Sequence, residues 1–205
     1  MSWYEDKILP RLTDFSCSTK PTRKQRAKIV PLATGDVLEI GIGSGLNLPY
    51  YDSQKVRKIW GLEPSEGMRK LATKNLEDIK LDLEFIDLPG EEIPLESNSV
   101  DTVLVTYTLC TIPDVATALE GMRRVLKPEG RLLFCEHGTA PDANVRRWQE
   151  RLNPGWRKIA GGCNMNRDVP AMINAAGFNI VQDERMYIPG LRILSYNYWG
   201  SATPG

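Results

Sequence analysis

The chain has 205 residues, and its 26 Lys and Arg residues balance its 26 Asp and Glu residues, so the formal net charge is zero. This length supports one hydrophobic core, and the balanced charge argues against nucleic acid as the main partner, because phosphate binding depends on an excess of Lys and Arg. No apolar run approaches the roughly 20 residues of a membrane-spanning helix, and no secretory signal is evident, so we expect a soluble, cytoplasmic protein.

Two helices are predicted before the first strand. Apolar residues between Trp3 and Phe15 recur at spacings of three and four, which predicts an amphipathic helix that bends near Pro10. A second helix is predicted from Pro21 to about Val30, because proline is favoured in the first turn of a helix. The basic residues of this second helix are interpreted as its solvent-exposed face.

From residue 35 onward, predicted strands and helices alternate. Strands are predicted at 36–41, 58–64, 81–87, 100–109 and 130–138, followed by two more near 178–184 and 191–199. Helices are predicted at 65–76, with Ser65 as the cap, at 114–127 and at 168–176. This alternation predicts an α/β fold, in which helices cover both faces of a parallel sheet.

The stretch VLEIGIGSG, residues 37–45, follows the first strand with three regularly spaced glycines: Gly41, Gly43 and Gly45. One interpretation is a tight turn between a strand and a helix. The other is a cradle, because glycine lets a ligand approach the backbone closely. The dinucleotide fingerprint G-x-G-x-x-G requires a glycine where Leu46 stands, which counts against a nicotinamide-dependent reductase.

Two glutamates accompany these glycines. Glu39 lies inside the apolar first strand, where a buried charge needs a partner, so it is either a paired structural carboxylate or a ligand-binding group. Glu63 ends the second strand, about 20 residues further on, where a carboxylate can accept hydrogen bonds from ribose hydroxyls. Glycines and carboxylates together favour the cradle.

This constellation resembles the class I S-adenosylmethionine-dependent methyltransferases. LEPSEGM, SNSVDTVLVTYTL and VLKPEGRLLFCEH are similar to segments of the ubiquinone-methylase branch of that family. The resemblance implies a Rossmann-like fold, with a seven-stranded, mostly parallel sheet and an N-terminal helical lid. It also implies S-adenosylmethionine as cofactor and S-adenosylhomocysteine as product.

The resemblance assigns cofactor contacts residue by residue. Glu39 would face the methionine amino group, Glu63 the ribose, and Met68 the adenine. The other expected cofactor residues are Gly41, Gly43, Gly45, Asn47, Pro64, Gly90, Glu91, Thr106 and Tyr107. Many relatives carry an aspartate after the third strand that binds the adenine amino group. Pro89 or Gly90 stands at that position here, so Glu91 or a backbone group is expected to replace it.

One domain is expected over residues 1–205. Residues 1–34 would form the lid over an acceptor pocket, 35–138 the cofactor-binding core, and 139–205 an acceptor-side segment with the final strands. The lid is expected to leave the cofactor cradle uncovered.

The second half of the chain resembles the alkyl thiol methyltransferase-like group, in the stretches CEHG, WQERLNPGWRKIAGGCNMNRD and YTLC. A small apolar thiol is therefore the expected acceptor. The alternatives are a quinone or phenol, a phospholipid headgroup, or binding of the cofactor without catalysis. Peripheral contact of the first helix with a membrane stays open, and the oligomeric state is not predicted.

His137, at the end of the fifth strand, is the one candidate general base, because no carboxylate pair is evident in the acceptor half. Its alternative role is to bind a loop carbonyl. The expected acceptor-side residues are Cys110, Trp148, Trp156 and Asn164. The alternative for both tryptophans is core packing, and Arg167 is expected to pair with a neighbouring acid.

The four cysteines are expected to be free thiols, and no metal site is expected. Cys17, Cys110, Cys135 and Cys163 lie far apart in the sequence, and no pair has the spacing of metal ligands. Cys163 is interpreted either as a reactive thiol or as a small residue in a turn.

Overall fold

A computed structural model describes residues 8–76 and 80–205. Trp3 and Tyr4, at the start of the predicted first helix, lie outside these residues. The helices are α1 (Leu9–Cys17), α2 (Lys20–Ile29), α3 (Glu66–Asn75), α4 (Val115–Val125), α5 (Ala143–Ile159) and α6 (Val169–Ala175). The strands are β1 (Gly35–Ile40), β2 (Val56–Leu62), β3 (Leu83–Ile86), β4 (Val100–Thr106), β5 (Leu126–His137), β6 (Phe178–Tyr187) and β7 (Tyr196–Pro204).

The seven strands form one sheet in the order β3-β2-β1-β4-β5-β7-β6. The first five strands run parallel, and β7 runs antiparallel to both β5 and β6. The predicted fold class is confirmed. The strand order reverses between β1 and β4, and open α/β sheets bind ligands in the crevice beyond the carboxyl ends of the strands at such a point.

Both faces of the sheet are covered because the buried strands alternate in side-chain direction. On one face, Val103 of β4 packs in a cluster that includes Leu119 of α4 and Ile173 of α6. On the other face, Leu104 belongs to a cluster that includes Ile29 of α2. Continuous apolar runs such as 103–105 are typical of parallel strands that are buried on both sides.

Several local predictions differ from the structure. Residues 126 and 127, predicted to end a helix, begin β5 instead, and the predicted strand 100–109 ends at Thr106. Pro10 lies in the first turn of α1, where its missing N–H costs nothing, so it starts the helix instead of bending it. The helix α5 was not predicted, because it contains Pro154. The predicted strand near 191–199 begins later, at Tyr196, after a turn that contains Gly190.

Candidate cofactor cleft and acceptor side

The three glycines all have positive φ, at +65° for Gly41, +58° for Gly43 and +78° for Gly45. The turn interpretation is therefore partly right, since this backbone conformation itself favours glycine. Only a three-residue 3-10 helix, Leu48–Tyr50, follows the loop, so no long helix places its N-terminus there.

Packing separates the roles of the three glycines. A Cβ at Gly41 would overlap the Thr108 side chain, and one at Gly45 would lie 2.7 Å from Leu48 Cδ1. A Cβ at Gly43 would lie 3.2 Å from Met68 Cε and 3.8 Å from the Gly41 carbonyl oxygen, and all three residues line a cavity. Gly43 is thus the glycine whose missing side chain leaves room for a ligand. Gly45, by contrast, lines neither of the two cavities that lie at this edge of the sheet.

Two adjoining cavities, of about 130 and 180 Å³, lie at the carboxyl ends of β1 and β4. They share four residues: Gly41, Glu63, Thr108 and Thr111. The first cavity is also lined by Thr13, Asp14, Cys17, Arg26, Ile42, Gly43, Ser44, Leu46, Met68, Thr106 and Tyr107. The second is also lined by Ile40, Leu62, Pro64, Pro89, Gly90, Glu91, Ile112 and Pro113. We refer to the two together as the cleft.

Glu63 stands at the junction of the two cavities. Its Oε2 accepts a hydrogen bond from the Gly43 N–H at 3.1 Å, and its Oε1 accepts one from the Ser65 N–H at 2.9 Å. Burial raises the pKa of Glu63, and these two hydrogen bonds oppose that shift. Each carboxylate oxygen keeps a further lone pair for a ligand hydroxyl. This placement agrees with the predicted ribose contact.

Besides the shared Gly41 and Glu63, the second cavity is lined by three further predicted cofactor residues, namely Pro64, Gly90 and Glu91. Met68 lines the first cavity instead, against Gly43. An aspartate does follow β3 directly, but Asp87 forms an ion pair with Arg69 at 2.6 Å and does not line the second cavity.

Glu39 is buried in a network beneath the cleft. Its two oxygens accept hydrogen bonds from Asn47 Nδ2 at 2.8 Å and from the Tyr51 hydroxyl at 2.6 Å. Burial raises the pKa of Glu39 to about 7, against the opposing effects of these hydrogen bonds and of Arg26. Neither Glu39 nor Asn47 lines a cavity, so here they support the cleft wall and do not form it.

Arg26 was interpreted as part of a solvent-exposed face, and that interpretation is wrong. Its side chain is only 4% exposed and lines the first cavity. Its NH1 donates to Asn47 Oδ1 at 2.8 Å and to Thr106 Oγ1 at 2.5 Å, and its guanidinium lies over the Tyr107 ring. Its Nε is buried without a hydrogen-bond partner among the described residues. Sequence periodicity could not reveal that α2 turns this one basic residue inward.

Helix α1 lies over the first cavity, to which it contributes Thr13, Asp14 and Cys17. The Ser44 hydroxyl, in the glycine loop, donates to Asp14 Oδ1 at 2.5 Å. The expectation that the lid leaves the cofactor cradle uncovered is therefore wrong.

Three residues of the acceptor side meet although they are distant in sequence. The ligand atoms of Cys110, His137 and Cys163 all lie within 4.8 Å of one another, and we call these residues the Cys–His cluster. Sequence spacing does not reveal this group, because β4, β5 and the turn after α5 bring the three residues together.

His137 is half-buried, and its Nε2 lies 3.4 Å from Cys163 Sγ. Burial lowers the pKa of His137, but the hydrogen bond and negative charge of Cys163 outweigh it, so the net shift is upward. The pKa of Cys163 is lowered, first by a hydrogen bond from Cys110 and then by His137, against the effect of burial. Both shifts favour a thiolate paired with a protonated imidazole, and a protonated imidazole cannot accept a proton.

The loops that carry the cluster are tightly held. The Asn164 N–H and Nδ2 both donate to the Cys110 carbonyl, at 2.8 and 2.9 Å. Arg167 donates to the carbonyls of Leu109 and Ile112, so it does not pair with an acid as expected. Asn164, expected at the acceptor, lines neither cavity and acts as a clamp between two loops.

The two tryptophans differ. Trp148 is 52% exposed on α5 with the Arg151 guanidinium over its ring, so it neither lines the cleft nor packs in the core. Trp156 has a buried Nε1 and contributes to lowering the pKa of Cys163, which places it beside the Cys–His cluster.

Glu136 is a buried carboxylate that sequence reasoning missed. Its Oε1 accepts hydrogen bonds from the N–H groups of Thr108 and Leu109, at 2.7 and 3.1 Å. Its Oε2 is buried and has no partner among the described residues. Burial raises the pKa of Glu136 to about 7. In the sequence, this role was indicated only by the position of Glu136 beside His137 at the end of the predicted fifth strand.

Comparison with known proteins agrees with this geometry. Residues 38–134 match the family described as "Methyltransferase domain". Residues 38–134 therefore belong to the methyltransferase domain family, and the sheet is that of the class I S-adenosylmethionine-dependent enzymes.

Particular relatives narrow the group. The chain is 34% identical over 163 residues to thiol S-methyltransferase TMT1B of Homo sapiens, covering 77% of this chain and 66% of the relative. It is 33% identical over 122 residues to demethylmenaquinone methyltransferase of Oceanobacillus iheyensis, covering 57% of this chain and 51% of the relative. The chain thus spans about two thirds of the first relative and half of the second.

Among solved structures, a methyltransferase from Haloferax volcanii in complex with the Trm112 activator superposes with a TM-score of 0.70. The match covers 99% of this chain and 96% of that chain at 19% identity, which supports the fold alone. Among the described residues, none of the helices is long and apolar enough to cross a bilayer.

The family and fold imply S-adenosylmethionine, and the cleft suits it. A Cβ at Gly43 would project into the first cavity beside Met68, and Glu63 presents acceptors where the two cavities adjoin. Arg26 supplies a buried cation at one end, where a carboxylate would be neutralised.

Proposed function

We propose that this chain transfers the methyl group of S-adenosylmethionine to a small thiol. The observation that carries the proposal is the continuous cleft, which joins Gly43, Glu63 and Arg26 at the switch point of the sheet. The thiol is supported by the printed activity of the human relative and by the acceptor-side resemblance.

Each residue of the cleft has a distinct task in this proposal. Glu63 accepts the ribose hydroxyls, and Gly43 lets the ligand lie on the backbone. Arg26 binds the methionine carboxylate, a contact that the sequence did not suggest. Pro64, Gly90 and Glu91 surround the adenine. The bound cofactor supplies an electrophilic methyl group on a sulfonium.

The protein's remaining contribution is to orient the acceptor and exclude water. Helix α1 covers the first cavity, and a thiolate reacting with a sulfonium loses charge, so a dry environment favours the reaction. A thiol needs little help, since a few per cent is thiolate at neutral pH. His137 is the candidate proton acceptor once it is neutral. The alternative acceptor is a quinol, which the menaquinone-pathway relative represents.

The test is to incubate the purified protein with S-adenosylmethionine and a panel of thiols, quinols, phenols and phosphatidylethanolamine. Mass spectrometry follows S-adenosylhomocysteine and the methylated product. We expect methylated thiols, and no product from the Gly43→Val variant. Turnover of quinols with no thiol methylated would contradict the acceptor assignment. Binding of the cofactor without any product would contradict the catalytic proposal itself.

A further inference from the structure

The Cys–His cluster has the composition of a metal site. It presents two cysteine sulfurs and one imidazole, the ligands that zinc prefers, with their ligand atoms all within 4.8 Å of one another. We propose that Cys110, His137 and Cys163 bind one Zn²⁺ ion. No residue of this cluster lines either cavity of the cleft, so the site is distinct from the cofactor contacts.

The measured distance agrees with shared coordination. Zn–S and Zn–N bonds of about 2.3 and 2.05 Å at a tetrahedral angle put the sulfur and nitrogen about 3.6 Å apart. Cys163 Sγ and His137 Nε2 are 3.4 Å apart. Two sulfurs on one zinc lie about 3.8 Å apart by the same geometry, so an upper separation of 4.8 Å requires only a small rotamer adjustment.

The scaffold holds the three ligands in place without the metal. Cys110 follows β4, His137 ends β5, and Cys163 lies in the turn after α5. Asn164 fixes this turn to the Cys110 backbone, as described above. Because the ligands are already ordered, little conformational entropy opposes metal binding.

Three protein ligands leave the fourth tetrahedral position to water, as in zinc sites that are not purely structural. The metal would link three segments of the chain. One of its ligands, Cys110, directly precedes Thr111, which lines both cavities. With zinc bound through Nε2, His137 is a ligand and does not accept a proton from the acceptor. With zinc bound, the acceptor thiol would therefore have to lose its proton to a group other than His137.

Metal content is the readout, so the test is independent of methyl transfer. The protein is purified with a reductant and a chelator, dialysed against Zn²⁺, desalted and analysed by plasma mass spectrometry. We expect about one zinc per chain in the wild type and in Cys17→Ser, which removes a thiol outside the cluster. Cys110→Ser and Cys163→Ser should each weaken zinc binding by more than about 100-fold, measured by competition with a chromophoric chelator.

Cobalt provides a second readout on the folded wild type, so a variant that fails to fold does not decide the matter. Co²⁺ should produce a thiolate-to-metal charge-transfer band and the intense visible bands of a tetrahedral site. A wild-type protein that keeps no zinc and shows neither feature overturns the proposal. Equal zinc content in the wild type, Cys110→Ser and Cys163→Ser overturns it as well, because the metal would then lie elsewhere.

Discussion

The cofactor cradle and the Cys–His cluster are built in opposite ways. The cradle depends on neighbours in sequence: Gly41, Gly43 and Gly45 follow β1, and Glu63 closes the next strand. The cluster joins residues 110, 137 and 163, which meet only because three separate segments converge. A local motif is therefore visible in one sequence, whereas a cluster assembled by tertiary contacts is not.

The two regions also share one element. Helix α1 contributes Asp14 to the cradle through Ser44. At its other end, Leu9 packs on the turn that precedes Cys163, since a Cβ at Gly161 would lie 2.8 Å from Leu9 Cδ2. Changes in α1 are therefore expected to affect both regions, and the experiments below use point substitutions to keep the regions separate.

The largest effect is expected in the cradle. Gly43→Val should weaken binding of S-adenosylhomocysteine by at least about 100-fold, because the branched side chain would stand in the first cavity. Calorimetry measures the affinity. The control is Gly177→Val, which carries similar backbone strain at φ +80° outside both cavities, where a Cβ would make only ordinary contacts with the Arg123 side chain. Unchanged affinity in Gly43→Val, or an equal loss in Gly177→Val, would show that the cradle is misplaced.

The next effect tests the cluster. As the proton acceptor, His137 would contribute about 100-fold to methyl transfer at pH 7, so His137→Ala should slow the reaction by that factor. At pH 9 the loss should be much smaller, because a thiol with a pKa near 8.5 ionises unaided. Trp148→Ala, a change at an exposed position, should leave the rates unaltered at both values of pH. Equal rates for His137→Ala and wild type at every pH would make the histidine purely structural.

A smaller effect is expected from the carboxylate between the two cavities. Glu63→Gln should weaken cofactor binding by about 30-fold, because hydrogen bonds from two ribose hydroxyls to a charged acceptor exceed those to a neutral one by about 1 kcal/mol each. Glu84→Gln removes an exposed carboxylate paired with Lys58 and should leave the affinity unaltered. A lower melting temperature of Glu63→Gln with unchanged cofactor affinity would limit Glu63 to its bonds with Gly43 and Ser65.

The smallest effect concerns pH and compares two buried glutamates, namely Glu39 beneath the cleft and Glu136, which directly precedes His137 of the Cys–His cluster. The pKa values of Glu39 and Glu136 rise from 4.5 to about 7, so the folded state holds protons that the unfolded chain has lost. This stabilising contribution is complete below about pH 4.5 and disappears as the pH rises through 7. Urea unfolding should show stability decreasing between pH 5 and 7.5.

Glu39→Gln and Glu136→Gln should each flatten that decrease, while Glu84→Gln, at an exposed site, should keep the full slope. An unchanged slope in both buried-site variants would mean that neither carboxyl titrates in this range. A flatter slope in only one of the two variants would identify which carboxyl group, that of Glu39 or that of Glu136, causes the pH dependence.

The sequence by itself determined the α/β fold and the cradle. Strand and helix periodicities fix which faces are buried, and the glycines record positive φ values that other residues rarely adopt. Glu63 could be predicted because it follows a strand next to β1. These features depend on local backbone conformation and on the register of neighbouring strands, and both are encoded over short stretches of chain.

Only the tertiary structure decided the roles of Arg26, Glu136 and the Cys–His cluster. Arg26 and Glu136 are charged residues whose burial depends on which elements pack over them, and no periodicity reports that. Trp148 shows the converse, since an aromatic residue expected at the acceptor is exposed. The cluster requires the ends of β4, β5 and α5 to converge, and sequence separation carries no information about such distances.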